Sequence, residues 1–188
     1  MQSPPPARRR QLRTWHPGPG PTELKAVTPH GKSEPLLDLA SNDYLGLCRH
    51  PELIKAAQAA LHSEGVGAGG SRLVTGSRPV HVALEDALAK WLGRERVLLF
   101  PSGFQANLAA VIALANRNTP VLADRLVHHS LLVGVKASGA RLQRYAHNDL
   151  ADLNHQLERC RNQQPNQPPL VLTESLFSME GTSPPLKA

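Results

Sequence analysis

Three short segments carry the side chains best suited to chemistry. In PSGFQAN (residues 101–107), Ser102 is placed to cap a helix that opens at Gly103-Phe104. The free N–H groups of that helix start and the positive end of its dipole suit a phosphate, and Phe104 can cover a flat ring. In DRLVHHS (124–130), His128 and His129 follow an apolar run, and imidazole moves protons near neutrality. Two adjacent histidines at a helix start point in different directions. SLFSMEGTSPP (175–185) adds hydroxyls and a glycine turn.

A fourth segment, GVGAGGSR (65–72), has the look of a dinucleotide fingerprint in the wrong setting. It follows a helix instead of a strand, and it lacks the GK[ST] ending of a P-loop. Its glycines are better suited to close backbone approach or unusual dihedrals beside a substrate. Spacing alone assembles no carboxylate–histidine–serine set and no metal-ligand cluster, so neither a hydrolase triad nor a zinc site is expected.

The elements that must position these segments read as an α/β sheet. Helices are expected from Pro51, with Leu53, Ile54, Ala57 and Leu61 on one face, and over about 79–92, with Val80, Ala83, Leu84, Ala87, Leu88 and Trp91 in step. Beyond them the chain alternates. VLLF (97–100), VLAD (121–124), RLQRYA (141–146) and LVLTE (170–174) read as strands, separated by helices over 102–115, 129–139 and 149–160. Short apolar strands alternating with helices predict a mostly parallel, three-layer sheet. Ligands bind such sheets at the carboxyl ends of the strands, where the three chemical segments lie. Residues 1–35, rich in proline, glycine and charge, read as an arm or lead-in, followed by a short strand and an Asn42-Asp43 turn.

Composition narrows the class. The net charge of +6 includes +4 from Arg8, Arg9, Arg10 and Arg13, so the rest of the chain is nearly balanced. Only 4% of residues are aromatic, too few to stack bases, and nucleic-acid binding is not expected. No apolar run approaches bilayer length, so no membrane partner is expected. Two cysteines, Cys48 and Cys160, make no disulfide framework, which fits a reduced, cytoplasmic setting.

With PSGFQAN, DRLVHHS, AHND and TESLFSMEG in this order, residues 36–188 resemble the α-oxoamine synthases, pyridoxal-phosphate enzymes of the aspartate-aminotransferase fold. SNDYLGL (41–47), GAGGSR (67–72) and HVALEDALAKWLG (81–93) extend the match. The resemblance implies pyridoxal 5′-phosphate as cofactor, a homodimer with active sites formed between subunits, and decarboxylative condensation of an amino acid with an acyl thioester. The motifs look most like the members serving biotin biosynthesis, which take L-alanine and a pimeloyl thioester; glycine C-acetyltransferases and 5-aminolevulinate synthases share much of the pattern. By the same resemblance Gly103 and Phe104 lie at the cofactor phosphate, and His128 stacks on the ring and approaches the substrate. Ser178 would bond the phenolic oxygen. Arg13, or alternatively Arg10, together with Asn42 and Ser71, would meet substrate.

One departure matters. The family pattern needs a Schiff-base lysine and an aspartate in a D-x-A-H segment. Neither Lys25, Lys32, Lys55, Lys90, Lys136 nor Lys187 sits in a suitable loop, and D-x-A-H is missing. The expectation is therefore an incomplete large domain (36–188) behind an arm (1–35), inactive by itself, with a non-catalytic truncated product as the alternative.

Overall fold

Strand β4, Pro120–Asp124, is buried at every residue and organises the second half of the chain. In the computed structural model the described residues are 12–20, 22–26 and 35–186. They divide into two units, residues 1–82 and 83–188, with the division inside one helix.

In the second unit β4 pairs in parallel with β5 (Arg141–Tyr145) and with β6 (Leu170–Leu172), giving the order β5-β4-β6. A central strand covered on both faces reads as a continuous apolar run, which VLA supplies. Val121 packs with Val111 of α3 (Gly103–Leu114) and Val135 of α4 (His129–Ser138). Leu122 points the other way, to Tyr145 and to Cys160 of α5 (Leu150–Gln163). Helices therefore cover both faces, and the expected α/β layering with a parallel sheet is present. Within one layer α3 and α4 approach so closely that a Cβ on Gly134 would sit 2.8 Å from the Cβ of Val111.

The VLLF segment departs from expectation: residues 97–100 belong to no strand ladder. The amide of Leu99 donates to the Glu85 carboxylate at 2.8 Å, so a side chain takes the place of a neighbouring strand. Glu85 lies in α2 (Pro79–Leu92), whose bounds match the expected helix.

The first unit also differs from its reading. The proline- and glycine-rich lead-in contains two strands, β1 (Trp15–Pro17) and β2 (Glu23–Ala26), and β3 (Pro35–Leu37) follows where a short strand was expected; the three pair antiparallel in the order β1-β2-β3. These strands are too short to show a period of two. Arg49 pins the bend between β1 and β2 by donating to the carbonyls of Gly18, at 2.8 Å, and Gly20. Helix α1, Pro51–Glu64, starts and stops where expected, with Pro51 in its first turn and Gly65 as its C-cap. Its stripe of Leu53, Ile54 and Leu61 is exposed, as are Val80, Leu84 and Trp91 on α2. Just past the glycine-rich loop, a Cβ on Gly76 would lie 1.8 Å from the Gly70 carbonyl oxygen, so the two backbones approach closely there.

Candidate functional site

Two loops meet at the carboxyl ends of the adjacent strands β4 and β6. The backbone N–H of His128 donates to the Glu174 carboxylate, tying the loop after β4 to the loop after β6. His128 is the N-cap of α4, and its ring is fixed there by two groups of Ser130. The Ser130 N–H donates to Nδ1 at 3.2 Å, and the Ser130 hydroxyl lies 2.7 Å from the same nitrogen. Ser130 is fully buried and its oxygen accepts from Asn107 Nδ2 of α3 at 2.9 Å. A backbone N–H can only donate, so Nδ1 is the acceptor and the ring proton sits on Nε2. His128 thus offers an outward Nε2–H donor. His129 is the first residue of α4.

The α3 N-terminus is built as its sequence predicts. Ser102 accepts from the Gln105 N–H at 3.2 Å, and the first backbone bond of the helix runs from Ala106 N to the Ser102 carbonyl at 3.1 Å. That leaves the N–H groups of Gly103 and Phe104 ahead of the intrahelical ladder. A Cβ on Gly103 would meet nothing within 4 Å, and Phe104 is 42% exposed. An open N-terminus with a neighbouring aromatic face fits a phosphorylated flat ring.

Ser178 rides on a closed turn. Phe177 N donates to the Thr182 carbonyl at 2.9 Å, and Gly181 N donates to the Phe177 carbonyl at 2.8 Å. Phe177 is buried against Ala123 and Val127, while Ser178 is exposed. Arg13, Asn42 and Ser71 belong to the first unit. Arg13 is exposed just before β1; Asn42 Oδ1 accepts from the Tyr44 hydroxyl at 3.3 Å; Ser71 Oγ accepts from Leu73 N at 3.4 Å. The turn at Asn42-Asp43 is closed by Asp43, whose carboxylate accepts from Leu47 N at 2.8 Å. Arg10 lies outside the described residues. Of the lysines, Lys25 is in β2, Lys55 in α1, Lys90 in α2 and Lys136 in α4; Lys32 and Lys187 are outside the described residues.

A cluster that spacing did not assemble stands beside these groups. Asp124, at the end of β4, is fully buried and accepts from Leu126 N (2.8 Å), Asn148 N (2.9 Å) and His147 Nδ1 (2.9 Å). Burial pushes its pKa up, but the two backbone N–H groups and the His147 ring more than offset this and hold it below the usual carboxylate range. His147 Nε2 is 2.8 Å from the Thr182 hydroxyl. Asp124, His147 and Thr182 thus form a carboxylate–histidine–hydroxyl set that residue spacing does not reveal. The signal lay in strand pairing. Asp124 stands opposite Tyr145 in the parallel ladder, so the residues just after β5 must land beside it. Among the described residues there is no group of three or more metal-ligating side chains, and no helix is long and apolar enough to cross a membrane.

Residues 34–188 match the family described as aminotransferase class I and II. The chain is 45% identical over 179 residues to an 8-amino-7-oxononanoate synthase of Acidithiobacillus ferrooxidans, covering 94% of this chain and 44% of that protein. It is 49% identical over 150 residues to the Enterobacter sp. protein of the same name, covering 79% and 38%. Among solved structures, a PLP-bound serine palmitoyltransferase from S. paucimobilis aligns with a TM-score of 0.83 at 30% identity, covering 94% of this chain and 42% of that one. An 8-amino-7-oxononanoate synthase from Francisella tularensis aligns with a TM-score of 0.62 at 27% identity, covering 79% and 39%. The chain spans about two fifths of the length of these relatives.

Proposed function

This chain belongs to the aminotransferase class I and II family, and we propose that it supplies the phosphate-binding and ring-facing part of an 8-amino-7-oxononanoate synthase. The reaction in that reading joins L-alanine to a pimeloyl thioester with loss of carbon dioxide, in a cytoplasmic homodimer serving biotin biosynthesis. Sequence identity of 45–49% to proteins of that name supports the assignment over the 30% identity to serine palmitoyltransferase.

The observation that carries the reading is that one unit holds both an open α3 N-terminus and a tautomerically fixed His128, with α3 tied to His128 through Asn107 and Ser130. Pyridoxal 5′-phosphate, when bound, supplies an electron sink for the pair left at the amino acid's α-carbon. The chain's residues hold and orient. The Gly103 and Phe104 N–H groups would hold the phosphate dianion, strengthened by the helix dipole. Phe104 shields one edge from water. The His128 ring would face the pyridine, and its Nε2–H would donate to the substrate carboxylate. Ser178 donates to the phenolic oxygen. Arg13, Asn42 and Ser71 contact the carboxylate-bearing substrates.

In the same proposal, no lysine of this chain holds the cofactor covalently, and the chain alone does not turn over. Equilibrium dialysis of the purified chain against pyridoxal 5′-phosphate tests this. Reversible binding that is competed by inorganic phosphate is expected, with no label retained after borohydride reduction. Retention of label on Lys25, Lys32, Lys55, Lys90, Lys136 or Lys187 would overturn the non-covalent reading. Failure to bind at millimolar cofactor would overturn the cofactor assignment itself. L-Alanine, glycine and L-serine are then compared for their effect on the bound cofactor's absorption, with alanine expected to act at the lowest concentration.

A further inference from the structure

The Asp124–His147–Thr182 set has no part in the chemistry above, yet it is densely hydrogen-bonded. Its geometry assigns a proton to each atom. Asp124 is an ionised acceptor, so His147 Nδ1, at 2.9 Å, must donate to it. His147 Nε2 is then bare and accepts from the Thr182 hydroxyl at 2.8 Å. Asn148 supports the same arrangement: its N–H donates to Asp124 Oδ2 at 2.9 Å, and its side-chain nitrogen lies 3.2 Å from His147 Nε2 and 3.4 Å from the Ser183 carbonyl oxygen. Asn148 has φ of 55°, a left-handed conformation that asparagine tolerates better than most residues.

The far end of the set is the turn that carries Ser178. Thr182 accepts the Phe177 N–H through its carbonyl and meets His147 through its hydroxyl. The His147 ring also stands edge-on to Phe177, with centroids 4.5 Å apart and planes at 89°. One imidazole thus grips both ends of the turn 177–182, and the carboxylate behind it is anchored in the central strand.

We propose that His147 is a positioning residue: held in its Nδ1–H tautomer by Asp124, it locks Thr182 and Phe177 and so fixes the turn that presents Ser178. The link to Ser178 as a cofactor contact rests on the proposed function; the clamp itself does not. A clamp of this kind sets where a hydroxyl stands without touching the reacting atoms.

Three measurements on the whole chain test it. In the unmodified protein, ¹⁵N-labelled histidine spectra at pH 7.5 are expected to show the proton of His147 on Nδ1, opposite to that of His128. Amide exchange of Gly181 is expected to rise about tenfold in Thr182→Val while core amides of β4 are unchanged, and to return to within about threefold in Thr182→Ser. Affinity for pyridoxal 5′-phosphate is expected to fall about tenfold in Thr182→Val and in Ser178→Ala, with the double variant no weaker than either.

A proton on Nε2 of His147, or Gly181 exchange within about twofold of the parent in Thr182→Val, overturns the clamp. Additive losses in the double variant overturn its action through Ser178. The tautomer measurement needs no variant, so it decides the matter even if Thr182→Val does not fold. If the parent chain binds no cofactor while the tautomer and exchange results appear as expected, the function falls and the clamp stands.

Discussion

Two histidines at the ends of neighbouring strands are held in opposite tautomers, and each tautomer follows from what its neighbours can donate. His128 receives two donors from Ser130 at Nδ1, so its proton is on Nε2. His147 faces an ionised carboxylate, so its proton is on Nδ1. Replacing Ser130 by alanine removes one donor and leaves Asn107 Nδ2 without its acceptor in a buried place; a loss of about 1–2 kcal/mol is expected in urea unfolding. Asp124→Asn is expected to cost about 3 kcal/mol at pH 7, since three donors lose their charged acceptor. The pH dependence has a definite sign. Asp124 titrates lower in the fold than in the unfolded chain, so its contribution is present above the unfolded value of about 4 and is lost as pH falls through the depressed folded value. Acid titration of stability should therefore be steeper in the parent than in Asp124→Asn; equal slopes would show that Asp124 contributes nothing.

At the scale of elements, helix packing and capping decide what holds the site in place. Gly134 lets α4 lie against Val111 of α3, and Gly134→Val is expected to destabilise by about 2–3 kcal/mol through overpacking, read as a lower urea midpoint. Asp149 caps α5 by accepting from Ala151 N at 2.9 Å and Asp152 N at 3.0 Å, and Asp149→Ala should cost about 1 kcal/mol in the same assay. These elements were legible in the residues because proline, glycine and the 3.6-residue period mark helix ends and faces: α1, α2 and α3 begin and end within a residue or two of expectation. β4 was legible as an unbroken apolar run. VLLF was read the same way and is not a strand, because strand identity depends on a partner and Leu99 found Glu85 instead. β1 and β2 were missed since three or four residues between prolines and glycines carry no period. The Asp124–His147–Thr182 set was missed for a related reason: it joins positions 124, 147 and 182, and only the parallel pairing of β4 with β5 brings the first two together.

For the molecule as a whole, the family was legible from ordered motifs, while the reason those motifs matter became visible only when the loops after β4 and β6 met. Matches over 94% of this chain cover 44% or less of the relatives, so catalysis is a property proposed for a larger assembly of residues than these 188. The task we propose for these residues is narrower: holding a phosphorylated ring between a helix start and a fixed imidazole. Titration of pyridoxal 5′-phosphate into ¹⁵N-labelled chain tests that task most directly. Saturable shifts of the Gly103 and Phe104 amides together with the His128 ring, with the His128 ring shift reversed when excess inorganic phosphate displaces the cofactor, are the predicted result. Saturation that moves none of these three residues would contradict the account.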